Sequence, residues 1–246
     1  MSAIDSSEVH KTAILNCIRS AVSKTDLDVF DALDELFQAH FNKSANNMLD
    51  LRKRNAKNKG ECFEVFCLLY LQSRGYIPYL LKDVPDDLLT KLGLTRHDVG
   101  IDIVAEVHQM SKKGEPQVLY FAVQCKYRSP SRDYAGRKTH RVGWKDISTF
   151  LSLCTRTGPW TKHIIMTNAE SVSWKGKKTS KDYTIARKTF NKQPNTYWCT
   201  WLTSSQTLIS NTKTEKQDEK KEEEKKESKQ LTPAEIRELR MKYYTK

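Results

Sequence analysis

Three side chains define the chemistry this chain could do. Asp102 ends the stretch Asp98-Val99-Gly100-Ile101-Asp102, and Gln124 and Lys126 flank Cys125 on the next apolar run. An acid, a neutral amide oxygen and an amine are the minimum set for holding a divalent cation and aiming a water at a phosphodiester. That hydrolysis needs positive charge on the developing phosphorane and a deprotonated water in line. Mg2+ (or Mn2+) takes oxygen donors and keeps several waters, so one or two carboxylates with carbonyls suffice. Asp102 then reads as a direct ligand and Gln124 as a neutral oxygen donor, with the Cys125 backbone carbonyl completing the shell. Lys126 orients or deprotonates the water, or stabilises the transition state as a cation.

Spacing brings these groups together. Ile101–Val107 alternates in polarity, Gln117–Lys126 forms a second strand-like run, and Ser111–Pro116 between them has turn composition. Antiparallel residues pair symmetrically about a turn. Asp102 and Gln124 average to position 113, inside the turn, so they should lie opposite one another. Gln124 and Lys126 are two apart and project from one face. The plain alternative is an exposed hairpin with ordinary polar residues on its wet side.

The elements that must carry this hairpin are legible in outline. Residues 8–54 read as helices: Ile14, Ile18 and Val22 recur at helical spacing, Thr25-Asp26 can cap a second helix, and Asn46–Arg54 adds a short third. Lys59–Gly75 is a stronger helix, with Asn58 and Glu61 forming a capping box and apolar residues around most of its circumference. Tyr76–Leu81 is a strand and Asp86–Leu92 a short helix. Trp144–Thr155 is helical, and His163–Thr167 and Tyr197–Leu202 are strands. This order predicts an α/β fold, a mixed central sheet flanked by helices with an N-terminal helical extension.

Four segments follow from composition. Residues 1–54 are the helical extension and 55–210 the main domain. Residues 211–230 form a charged linker, and 231–246 a short amphipathic tail helix. Within the linker, Lys213–Gln230 carries 7 basic and 7 acidic residues and can bury no core. Thr232-Pro233-Ala234-Glu235 is a helix start, and Ile236, Leu239, Met241 and Tyr243 give the tail an apolar face suited to docking on a protein partner.

The net charge of +12 is concentrated: residues 126–192 hold 16 basic and 4 acidic groups, directly after the Gln-Cys-Lys element. A basic block beside a candidate metal site suits a polyanion. Arg128, Arg132, Arg137, Lys138 and Arg141 form one cluster, and Lys175, Lys177, Lys178 and Lys181 a second, with Trp174 beside it for stacking. Both would contact phosphate without reading sequence. The six cysteines are scattered without a CxxC pair and read as reduced core thiols. His97, His140 and His163 lack metal-ligand spacing. No secretory start and no membrane span is visible, so an intracellular (cytoplasmic or nuclear) protein is expected.

Gly60-Glu61-Cys62-Phe63-Glu64 ending at Gly75-Tyr76, then Asp98–Ala105, then Gln124-Cys125-Lys126-Tyr127 resemble the PD-(D/E)XK nuclease superfamily, in its Mrr-like restriction endonuclease branch. The similarity continues through Val142-Gly143-Trp144 and Ile164–Asn168, covering roughly residues 55–170. The resemblance implies a two-layer restriction-endonuclease-like core and a metal-dependent DNA endonuclease. It also implies a helix-borne glutamate at the metal: Glu64, which sits in an apolar run where an unpaired carboxylate is costly, with Glu61 as the alternative. Gln124 departs from the acid that many members carry, but the Mrr-like branch is similar in using Gln there. Asp98 fits the branch pattern too, or else shapes the turn. DNA is the implied partner, and a homodimer would supply two active sites for double-strand cutting. A structure-selective nuclease such as a Holliday junction resolvase shares this chemistry, and a non-cleaving nucleic-acid-binding module would keep only the fold.

Overall fold

The computed structural model describes residues 6–23, 28–41, 48–97, 100–129, 131–132 and 138–203. Helices α1 (Ser6–Val22), α2 (Val29–Phe41) and α3 (Met48–Ser73) lead into β1 (Ile77–Leu80), a 3-10 turn (Leu81–Asp83) and α4 (Asp86–Leu92). The hairpin of β2 (Ile103–Met110) and β3 (Pro116–Lys126) follows. Short strands β4 (Ser131–Arg132), β5 (Lys138–Thr139) and β6 (Arg141–Val142) precede α5 (Trp144–Cys154). Then come β7 (Lys162–Thr167), β8 (Ser171–Val172), β9 (Asp182–Ile185) and α6 (Arg187–Asn191), and residues 195–203 are helical. The linker and tail helix, Asp98, and the side chains of Arg132, Arg137 and Lys138 lie outside the described residues.

One five-stranded mixed sheet, in the order β1-β2-β3-β7-β9, organises the molecule. β1, β2 and β3 are antiparallel, whereas β7 and β9 run parallel to β3. The hairpin has the register its sequence predicts: pairs run from Ile103↔Val123 to Met110↔Pro116, symmetric about position 113. Its turn closes with Ser111 N–H donating to the Glu115 carbonyl at 2.7 Å and Gly114 in the left-handed region.

Helices cover both faces, one layer more than the two-layer core implied above. Val104 and Ala122 join Leu92, Ile147 and Phe150 in a core under α4 and α5. Their strand neighbours Ile103, Ala105 and Val123 point the other way and are equally buried, at 0% exposure. That second face receives α3, whose Phe63 and Phe66 stand in an aromatic cluster with Phe30 of α2, Phe190 of α6 and Trp198 and Trp201 of the last helix.

The N-terminal helices therefore pack on the core. Thr25 and Asp26 lie outside the described residues, and Asp28 caps α2, its Oδ1 accepting the Phe30 N–H at 2.8 Å. Its Oδ2 takes Nε of the buried Arg187 at 2.9 Å, and Asp31 takes Nη2 at 2.7 Å. Among the described residues, no helix is long and apolar enough to cross a membrane.

Two local expectations are corrected. α3 is a single 26-residue helix from Met48, so Asn58 and Glu61 lie in its interior and form no capping box. The polar stretch Arg52–Lys59 is made largely of good helix formers and simply continues the helix. Glu61 instead reaches Lys57 one turn back, at 3.7 Å. Residues 195–203 are helical and not a strand, because Trp198, Trp201 and Leu202 at three- and four-residue spacing bury one face. The far end of α3 is where it was expected: Gly75 is left-handed, and Tyr76 and Gly75 N–H donate to Leu71 and Gln72 in a Schellman stop.

Candidate active site

Asp102 is fixed before its side chain is considered. Its N–H donates to the Val123 carbonyl at 2.9 Å, and its own carbonyl accepts Leu81 N–H at 3.0 Å, so the backbone is held from both sides. Gly100 makes the approach possible: its φ is +121°, and a Cβ there would come within 3.1 Å of the Phe150 Cα. Carrying the hairpin register one pair further sets Asp102 opposite Gln124. The Asp102 carboxylate reaches across to β3, where Oδ2 accepts the Cys125 N–H at 2.7 Å.

Glu64 arrives from α3, half-buried between Phe63 and Val65. Burial chiefly, with the Asp102 and Glu61 charges adding to it, pushes its pKa up to about 8, against the pull of Lys126 and Lys82. Burial likewise raises Asp102 to about 6, with the Cys125 N–H and Lys126 opposing. Two carboxyls that resist ionisation within reach of each other's field make a site short of positive charge. Glu61 is more exposed and is engaged with Lys57.

Gln124 is 2% exposed, and its Oε1 has no hydrogen-bond partner among the described residues. A buried amide acceptor left unpaired is costly unless something else satisfies it. Gln124, Glu64 and Asp102 carry only oxygen donors of the kind a hard divalent cation takes. Among the described residues there is no group of three or more His, Cys, Asp and Glu that could hold a metal ion. Burial raises the free Cys125 and Cys67 thiols, which share a hydrogen bond, so Cys125 offers backbone groups and no thiolate.

Lys126 closes β3, and the chain beyond it is held by residues that sequence reasoning missed. Thr167 Oγ1 donates to the Lys126 carbonyl at 2.6 Å. Asn168 accepts the Arg128 N–H and donates to the Arg128 carbonyl, each at 2.8 Å. Tyr127 Oη donates to Asp34 of α2, and Arg128 Nη2 to Asp146 of α5. Asp34 also faces His140 Nε2 at 3.4 Å, and Glu170 faces His140 Nδ1 at 3.4 Å, so this histidine is structural. A buried polar pair directly after the apolar run Ile164–Met166 was the one available signal, and it reads equally well as a turn.

The basic residues divide. Arg128 is half-buried and committed to Asp146, whereas Arg141, Lys175, Lys177, Lys178 and Lys181 are exposed. The Lys177 ammonium sits 5.1 Å from the Trp144 ring and Lys178 5.6 Å from Trp174. Trp174 is partly buried, packing one side against the α4/α5 core beneath its lysine. The loop is anchored at its far end by Asp182, which accepts Thr179 N–H and Oγ1 at 2.7 Å each and pairs with His163 at 2.8 Å.

Comparison with known proteins agrees with this architecture. Residues 79–197 match the family model of a restriction endonuclease. The matched segment contains Asp102, Gln124 and Lys126 and begins after Glu64. No significant match was found among curated proteins or solved structures.

Proposed function

Because residues 79–197 carry a restriction endonuclease domain, we propose that this protein is a metal-dependent endonuclease that hydrolyses DNA phosphodiester bonds. Restriction-endonuclease-like nucleases generally use divalent metals. The observation that carries the reading is the half-buried pair Glu64 and Asp102, both in the field of Lys126, with the Gln124 oxygen across the hairpin unpaired among the described residues.

Glu64, Asp102, Gln124 and the Cys125 carbonyl would hold Mg2+ or Mn2+. When bound, such an ion would supply Lewis-acid stabilisation of negative charge on the phosphoryl oxygens and would favour deprotonation of water. Glu64, its pKa pushed up to about 8 chiefly by burial, would have to lose its proton to serve as a ligand. Asp102 is kept aimed by the Cys125 N–H. Lys126 orients the attacking water and puts positive charge where the phosphoryl oxygens gain negative charge. The exposed lysines at 175, 177, 178 and 181, with Arg141, would hold the DNA backbone.

Plasmid nicking with Mg2+ or Mn2+ tests the reading. The unmodified chain should convert supercoiled to open-circular DNA, and EDTA should stop it. If Lys126→Ala and Asp102→Ala cut as fast as the parent, the mechanism is wrong.

A further inference from the structure

We infer that Thr167 and Asn168 are positioning residues for Lys126, locking the end of the catalytic strand so that the amine keeps one address; the inference rests on the nuclease reading of the site. Lys126 is the last residue of β3, where a strand ordinarily frays. Here the fraying groups are tied. The Thr167 hydroxyl holds the Lys126 carbonyl at 2.6 Å. The Asn168 amide pairs with both backbone groups of Arg128 at 2.8 Å, as a further rung of a strand ladder would. Both side chains are 0% exposed.

The arrangement is fuller than strand pairing requires. β3 and β7 are already in parallel register to Lys126↔Thr167, and apolar residues would fill the same volume. Buried hydroxyl and amide groups cost free energy unless their bonds are made, and these are spent on the residue that carries the amine and the second residue after it. The Thr167 hydroxyl is itself aligned, since Oγ1 accepts the Ala169 N–H at 3.1 Å. Lys126 is thereby aimed from the backbone while its side chain stays open to solvent on one side.

The test uses the full chain with Thr167→Val, Thr167→Ser, Asn168→Ala and Asn168→Asp. Thr167→Val and Asn168→Ala should lower single-turnover cleavage by about 10- to 100-fold, the cost of a misplacement near 1 Å, with KM and DNA affinity unchanged. Thr167→Ser should restore the rate. Asn168→Asp keeps the acceptor but opposes the Arg128 carbonyl, and should resemble Asn168→Ala. In protein labelled with 13C-lysine, the Cε signal of Lys126, identified by its loss in Lys126→Arg, should move in the deficient variants while exposed lysines stay. An unmoved Lys126 signal in any folded deficient variant overturns the inference, as does a loss that appears only in KM. If the unmodified protein cuts no DNA, the nuclease reading fails, and the lysine signal still decides whether these two residues set the position of Lys126.

Discussion

The Cys125 N–H donates to Asp102 Oδ2 across 2.7 Å, tying the two strands of the hairpin together through the side chain proposed to meet the metal. One carboxylate thus has both a structural and a chemical task, and substitution can separate them. Asp102→Asn keeps an acceptor for the Cys125 N–H and removes the charge. In EDTA above about pH 6 it should raise the urea midpoint, because it removes a carboxylate whose ionisation costs stability in the folded chain. It should cut nicking by about 100-fold or more. Asp102→Ala removes both and should be less stable than Asp102→Asn by about 1–3 kcal/mol. Equal midpoints in the two variants would show that the bond plays no structural part.

Without metal, stability should fall as pH rises. Glu64 titrates at about 8 in the folded chain against an ordinary 4.5, and Asp102 at about 6 against 3.8. Between those limits the folded state binds more protons than the unfolded one. The stability present below about pH 4 is therefore lost progressively through pH 8. Thermal melts in EDTA should show that decline, and Glu64→Gln should flatten it and melt higher than the parent at pH 9. A decline of the same size in Glu64→Gln would assign it to other groups.

Gly100→Ala should damage the site more than Gly75→Ala. Both glycines have positive φ, but only at Gly100 does a Cβ meet backbone, 3.1 Å from Phe150 Cα; at Gly75 it meets nothing within 4 Å. Each variant should lose about 1–3 kcal/mol from the conformation alone. Gly100→Ala should in addition displace Asp102 and lower nicking. Equal activity in the two would mean that Phe150 yields.

Arg187→Ala should destabilise the chain by about 1–3 kcal/mol, because it takes the cation from Asp28 and Asp31 and cuts the tie between α6 and α2. Asp28 keeps the Phe30 N–H and the Asn191 amide. Urea denaturation checks the value. A change below about 0.5 kcal/mol, within the range of ordinary surface substitutions, would mean that solvent replaces the guanidinium.

Charge reversal at Lys175, Lys177, Lys178 and Lys181 should weaken DNA binding and flatten its salt dependence. Each phosphate that is no longer neutralised lowers the slope of log K against log salt by about 0.9. An unchanged slope would take this loop out of the interface.

Much of the site could be read from local pattern. The hairpin register followed from period-two alternation and one turn, which is why Asp102 and Gln124 could be paired across 22 positions of sequence. The burial of Glu64 followed from Phe63 and Val65 beside it. What escaped was long-range. Thr167 and Asn168 act on residues 41 and 40 positions away, and Arg187 on Asp28 and Asp31 at 159 and 156. No periodicity encodes such pairings, so Arg187 counted only as part of a basic block. The helix boundary at Met48 and the helix at 195–203 were missed for a different reason: short polar or aromatic runs fit either state until their packing partners are known.

The continuity of α3 bears on how this protein could be dissected or transplanted. The segment recognisable as a nuclease starts at Tyr79, yet Phe63, Phe66 and Glu64 lie upstream on a rod that begins at Met48. A clone started at the recognisable border would lack Glu64 and strip α2 and α3 from the second face of the sheet, leaving Phe190, Trp198 and Trp201 without Phe30 and Phe66. One started at residue 55 would sever the rod itself. The smallest portable cassette has to include the helices before it, so a graft onto another scaffold should join upstream of α1 and never between α3 and the sheet.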